Sequence, residues 1–566
     1  MKLQQLTQLL FLSFITTTVF SQEQPKEKIQ FNGGFESNSQ WFLDDKCLKD
    51  EFNNPTVAPA QPLRSNNYLF LNFKYKNWSA GIQGENYKNE DESLAIYNPK
   101  FSGTNVATYF LQYKNKKIDV TAGYFYEQFG SGLLYRSWED RALGINNALR
   151  GGRIIFKPTD YLTLKSIYGQ QRTGFDVSRG KIYGADVEIG LSPIFKMETT
   201  DVSLGLTYIA RDEKTDIVNQ NFDDVTNGYA ARINVNHNSV YFSSEFDYKT
   251  HDAVVQAPGQ IDNRLIKPGS ALLVNTGYSK KGFGIDASFR RLENMSFFSE
   301  RDAKGNTFND RLMNFIPSLT KQHHYNLANI YVYQAQPSVL LEDVDFVKAG
   351  EIGGQIDVFY DFKKGSKLGG KNGMKVALNV SNWNALGGTF YIFNPQNYET
   401  DFFRFGKRMF TDANIEITKK WDSKWQSVFS YINQYYNKKF IDGRSGEVNS
   451  NIVAAEATYK FTPTRSMRIM GEHMWADSDK KNWAGATIEM NLNSKFSVYV
   501  SDLYNYGNDL EYARNHYYNL GGAFRKKSTR IAMNFGRQRG GLVCVGGVCR
   551  FVPESSGFSL SLNTAF

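Results

Sequence analysis

Arg136, Glu139, Asp140, Arg141, Arg150 and Arg153 crowd both signs of charge into one interval between two strand-like stretches. Opposed across a water-filled lumen, such side chains form a constriction whose transverse field selects solutes by charge. The same residues can instead neutralise one another and pin a loop. A second chemical feature is Cys544-Val545-Gly546-Gly547-Val548-Cys549. A two-residue Gly-Gly turn there sets Cys544 opposite Cys549 in a non-hydrogen-bonded pair, close enough for a disulfide. That bridge is expected to make a rigid external tip for a partner, or simply a staple, and it leaves Cys47 over. Zinc is not expected, because no second ligand pair lies nearby. The acidic spots Asp44-Asp45, Asp223-Asp224 and Asp343 to Asp345 lack the spacing of a calcium loop.

Catalytic patterns are missing where they would be sought. There is no Gly-x-Ser-x-Gly elbow, no His-Glu-x-x-His and no phosphate loop. His237, His251, His323, His324, His473 and His516 are scattered, and the one adjacent pair would point apart on a strand. Neither an enzyme nor a bound cofactor is expected. The net charge of +9 is modest for 566 residues, so nucleic acid is not an expected partner.

The elements that must hold these groups are strands. Tyr183 to Leu191 alternates apolar or aromatic odd positions with glycine or acid at even ones. Ala484 to Leu492, Phe283 to Arg290 and Val453 to Phe461 repeat the pattern. Period two places one face in oil and the other in water. These segments run about nine to eleven residues, the length of a tilted transmembrane strand. Aromatics reach 15% in a chain only 41% hydrophobic, which suits aromatic girdles on a lipid-facing wall around a polar interior. Beyond the N-terminus no interval holds the roughly 18 to 20 apolar residues of a spanning helix.

Eleven short polar links, among them Lys76-Asn77, Lys157 to Asp160, His237-Asn238 and Lys526 to Ser528, mark hairpins. With a first strand near Lys28 to Glu36 and a last one ending at Phe566, the expected fold is all-β. It is a transmembrane antiparallel up-and-down β-barrel of about 24 strands, within 22 to 26. The lysine-rich short links read as periplasmic turns, and Glu127 to Arg150, Leu292 to Gly350 and Asn382 to Arg408 as long external loops. Tyr325 to Tyr333 alternates too, but breaks the up-and-down parity, so it is assigned to the second of these loops.

Residues 1–21 read as a cleaved signal peptide, with Lys2 ahead of the apolar stretch Leu9 to Phe20 and small residues before Gln22. Residues 22–566 are then a single barrel in the bacterial outer membrane, with no separate plug domain. At the other end Phe558, Leu560, Leu562 and Phe566 share one face. A last strand ending in phenylalanine resembles the signal by which the barrel assembly machinery engages its substrates. Glu127-Gln128-Phe129-Gly130-Ser131-Gly132-Leu133-Leu134, Glu139 to Gly144, and Arg539 to Pro553 around Gly541-Leu542-Val543-Cys544 resemble segments of an uncharacterised Bacteroidota outer-membrane β-barrel family. The resemblance implies location and architecture, and membership of a larger outer-membrane assembly.

Two functions of different class are expected. A wall of this size encloses more space than inward side chains can fill, which favours a passive pore or channel-like transport protein. The alternative is a non-conducting structural or accessory subunit of a larger assembly, such as barrel assembly or secretion machinery, whose long loops plug the lumen. The expected partners are outer-membrane lipid, the assembly machinery during insertion and, for the second reading, a membrane protein or lipoprotein.

Overall fold

A computed structural model of the protein describes residues 28–50, 52–88, 102–255, 261–303, 311–343, 346–393 and 395–566. The leader expected over residues 1–21 lies outside the described residues. The wall is one 24-stranded antiparallel sheet that meets itself. Its first strand, Gln30–Phe42, pairs on one side with Leu63–Tyr75 and on the other with the last strand, Ser555–Ala565. Closure leaves no backbone edge to face lipid, the condition a spanning sheet must meet.

Alternation sets the faces as the pattern requires. Leu206 is 63% exposed on the outer surface, while Asp186 is 1% exposed on the inner one. Tyr168–Tyr183 and Tyr208–Tyr229 are cross-strand ring pairs on the outside, with centroids 5.3 and 5.5 Å apart. These are the aromatic belts that the composition called for.

All eleven short links fall at one end of the wall, with the start of the first strand and the end of the last. The opposite end carries the connections 126–148 and 294–349. The expected loop Asn382 to Arg408 is corrected. Most of it is strand, because Met374–Tyr391 and Asn397–Lys420 run on past the wall and are joined by residues 392–396 only. Register shifts between Trp383 and Gly388 break the alternation there, which is why the hairpin reads as irregular from sequence.

The seam rests on two small contacts. Phe566 and Gly33 exchange backbone hydrogen bonds of 2.9 Å in both directions. Phe31, Phe73 and Phe566 then cover the seam from the lipid side. Gly557 is opposed to Phe42 with a φ of 153°, and a Cβ there would lie 1.9 Å from the Trp41 carbonyl oxygen. Gly557→Ala is therefore expected to cost about 2 kcal/mol or more, read as a lower urea midpoint for the barrel folded in vesicles. An unchanged midpoint would show that the seam tolerates the side chain.

Candidate functional site

A purely polar lining is not what the inner face presents at the long-loop end. Ile432, Ile452, Met474 and Trp483 are direct cross-strand partners in one row, and all four are fully buried. They need a cover inside the lumen, and the segment 294–349 supplies it. Its Tyr325, Leu327, Ala328, Tyr331 and Tyr333 share one apolar cluster with that row, Trp383 and Phe410. Tyr333 lies between two wall rings, 5.7 Å from Trp383 and 5.2 Å from Phe410, near-parallel to both.

Charged side chains of the wall fix the same segment. Asp252 accepts from Arg211 at 3.0 Å and from Arg301 of the plug at 2.8 Å. Arg301 also donates its backbone N–H to Glu213 at 3.0 Å. Glu351 receives Arg290 at 2.5 Å, the Tyr333 hydroxyl at 2.5 Å and the Gln336 N–H at 2.7 Å. Farther round, Glu472 accepts the Leu327 N–H at 2.9 Å. His323 meets Asp412 at 3.0 Å, and Gln171 donates to the Leu312 carbonyl at 2.7 Å. The anchors run from strand Leu162–Thr173 to strand Arg465–Ala476, so the segment crosses the lumen. Burial and the Glu351 carboxylate hold the Tyr333 hydroxyl far above the usual phenol range, keeping it a donor.

The second inward segment is 126–148, which carries most of the expected constriction. Ser131 binds Glu245 through both backbone N–H and hydroxyl, at 2.8 and 2.7 Å. Arg141 bridges Glu36 of the wall at 2.5 Å and Glu139 at 3.0 Å, with its guanidinium over the Tyr68 ring. Arg153 pairs with Asp119 at 3.0 Å and Glu127 at 3.4 Å. Asp140 accepts the Leu143 N–H in a local turn, and Arg136 stacks over Phe315 of the plug at 4.0 Å. Arg150 does not join the set. It follows buried Leu149 and precedes exposed Ile154 on the outer parity, opposite Tyr124, so it points away from the lumen. Below this layer a cavity of about 510 Å³ opens, lined by Lys165, Asp186, Glu188, Arg232 and Glu245 among others.

Cys544 and Cys549 are bonded, as the Gly-Gly turn implies. The expectation of an external tip is corrected, since the hairpin folds inward. The Ser318 N–H donates to the Gly547 carbonyl at 2.8 Å, and Cys549 is 2% exposed. A Cβ at Gly547 would lie 2.8 Å from the Ser318 carbonyl oxygen, so glycine is what admits the close contact. Sequence reasoning allowed for long loops in the lumen but did not single out the segment 294–349 as the occupant. The available signal was the apolar inner-parity row Ile432, Ile452 and Met474.

Removing the charge at Asp252 leaves one buried carboxylate, Glu213, facing the two buried guanidiniums of Arg211 and Arg301. Asp252→Asn is expected to weaken plug docking by about 3–5 kcal/mol. Limited proteolysis should cut 294–349 while the barrel still migrates as a folded, heat-modifiable species. Uncut plug at wild-type rates would show that Asp252 is not an anchor.

No curated protein matches this sequence. Among solved structures, the chain is similar to the siderophore receptor PirA from Pseudomonas aeruginosa, at 8% identity over 96% of this chain and 81% of that one, TM-score 0.39. The translocation pore of the P pilus usher (PapC) matches at 8% identity over 95% and 99%, TM-score 0.40. A BenF-like porin from Pseudomonas fluorescens Pf-5 matches at 10% identity over 84% and 98%, TM-score 0.34. A family model described as a family of unknown function, DUF6029, matches residues 3–566, and the chain belongs to that family.

Proposed function

We propose that this protein is an outer-membrane barrel of the pore class whose lumen is closed at rest by its own loops. The observation that carries the reading is the crossing of the lumen by 294–349, anchored on walls far apart around the barrel. A closed wall with a lipid-facing aromatic belt belongs in the outer membrane, because in that bilayer spanning sheets are closed barrels. Cleavage of the leader, delivery by the barrel assembly machinery and origin in the Bacteroidota are parts of the same proposal. The charged cavity on the short-turn side gives solutes an aqueous vestibule once the plug shifts. Passage through it is charge-dependent, with Arg141 and Arg153 near the path.

One observation favours the scaffold alternative. The plug's ionic anchors are buried and multiply bonded, so its displacement is costly. In that reading the barrel serves a membrane-protein or lipoprotein partner and never conducts.

Planar bilayers separate the two. Intact protein is expected to be silent or to give small, rare steps, and a variant with 296–348 replaced by a short Gly/Ser link is expected to give large steady ones. Large steps from the intact protein would refute closure at rest. A folded loop-replaced variant that stays silent would refute the pore. In the open variant, Arg141→Gln with Arg153→Gln should shift anion-to-cation preference, and Arg150→Gln should not, since that side chain is outside.

A further inference from the structure

On the long-loop side, between the stem of the disulfide hairpin, the plug residues Ile330 to Gln334 and the neighbouring loops, lies a cavity of about 390 Å³. Its volume is in the range of sites for small dissolved ligands. Plug residues form part of its wall, so it faces the mouth of the barrel rather than lipid.

Most of its carboxylates are already engaged. Asp479 accepts from Lys438 at 2.5 Å and from the Tyr331 hydroxyl at 3.0 Å. Glu554 takes the Tyr517 hydroxyl. Asp50 caps its own turn through the Phe52 and Asn54 N–H groups, and Asp442 accepts the Arg444 N–H at 3.1 Å. Among the cations lining the same space, Lys49 donates to the Asn53 amide oxygen at 2.8 Å, and Lys480 and Arg539 are left without a carboxylate partner among the described residues. Arg539 donates to the carbonyls of Asn329 at 2.8 Å and Gly540 at 3.0 Å, and neither it nor Lys480 has a carboxylate at ion-pair distance among the described residues. Burial pushes both groups below their ordinary values, and the charge of Arg539 adds to the effect on Lys480, while Asp479 and Glu554 oppose it on Lys480 and Glu554 opposes it on Arg539. Two mutually repelling, partly desolvated cations beside carboxylates that are bonded elsewhere attract a small anion, which forms charge-assisted hydrogen bonds with both.

We propose that this cavity binds a small dissolved oxyanion, phosphate or carboxylate, between Lys480 and Arg539. The inference goes beyond the pore reading and stands whether or not the lumen conducts. Because the Arg539 guanidinium also holds the Asn329 carbonyl of the plug, the bound anion sits on a contact that seats the plug.

The test is calorimetric titration of the purified full-length chain in detergent with inorganic phosphate and, separately, with citrate. At least one is expected to bind with one-to-one stoichiometry. Lys480→Gln breaks no plug bond and is expected to weaken binding about tenfold, the effect of losing one charge-assisted bond. Arg539→Lys should weaken it while the chain stays folded. Lys495→Gln, in a short turn at the far end, should leave it unchanged. Failure of both probes to bind the intact chain would overturn the proposal. So would undiminished binding by Lys480→Gln and Arg539→Lys, or equal weakening by Lys495→Gln.

Discussion

Backbone groups in a hydrocarbon layer have no water to bond, so a sheet that crosses it must pair its first strand with its last. In this chain that pairing joins residues more than five hundred positions apart, Gly34 with Ala565 through Phe42 with Gly557. Everything else in the molecule is conditioned by this ring. Twenty-four strands enclose a space that the inward side chains cannot fill. The wall therefore fixes a lumen that water or additional chain must occupy, and here additional chain occupies much of it.

The occupant is held by two kinds of force acting at different places. Tyr333, Leu327 and Tyr325 bury apolar surface against the wall, which is non-directional and favours closeness more than a defined pose. The carboxylates Asp252, Glu351 and Glu472 supply direction, since each accepts bonds at set angles from groups on the plug. Burying such ions is expensive, and a buried pair adds little to stability compared with well-packed hydrophobes. Their effect is better described as orientation. They choose one seating of the loop among the several that apolar contact alone would allow.

The wall was legible in the sequence because its code is short-range. Alternation in segments such as Tyr183 to Leu191, the short polar turns and the terminal Phe566 each depend on a few adjacent residues, and together they specify a closed sheet and its strand number. The disulfide was legible for the same reason. The plug was not, because what defines it lies between distant segments. Asp252 with Arg301, Glu472 with Leu327 and Gly547 with Ser318 are neighbours only once the ring has closed. Of the six charges singled out between residues 136 and 153, the structure draws Glu139, Arg141 and Arg153 into ion pairs, uses Asp140 in a local turn, stacks Arg136 on Phe315 of the plug, and turns Arg150 outward. Strand parity at Leu149 would have assigned Arg150, had the start of that strand been placed two residues earlier.

The inward hairpin at residues 541–552 is the last loop of the chain, yet it bears on a segment made some two hundred residues before it. Ser318 has no Gly547 to hold until the final hairpin has been synthesised and exported. A nascent or truncated chain thus has a lid with its latch still missing. The final seating of residues 294–349 is reached only when this hairpin arrives, so the Ser318 to Gly547 contact is among the last to form.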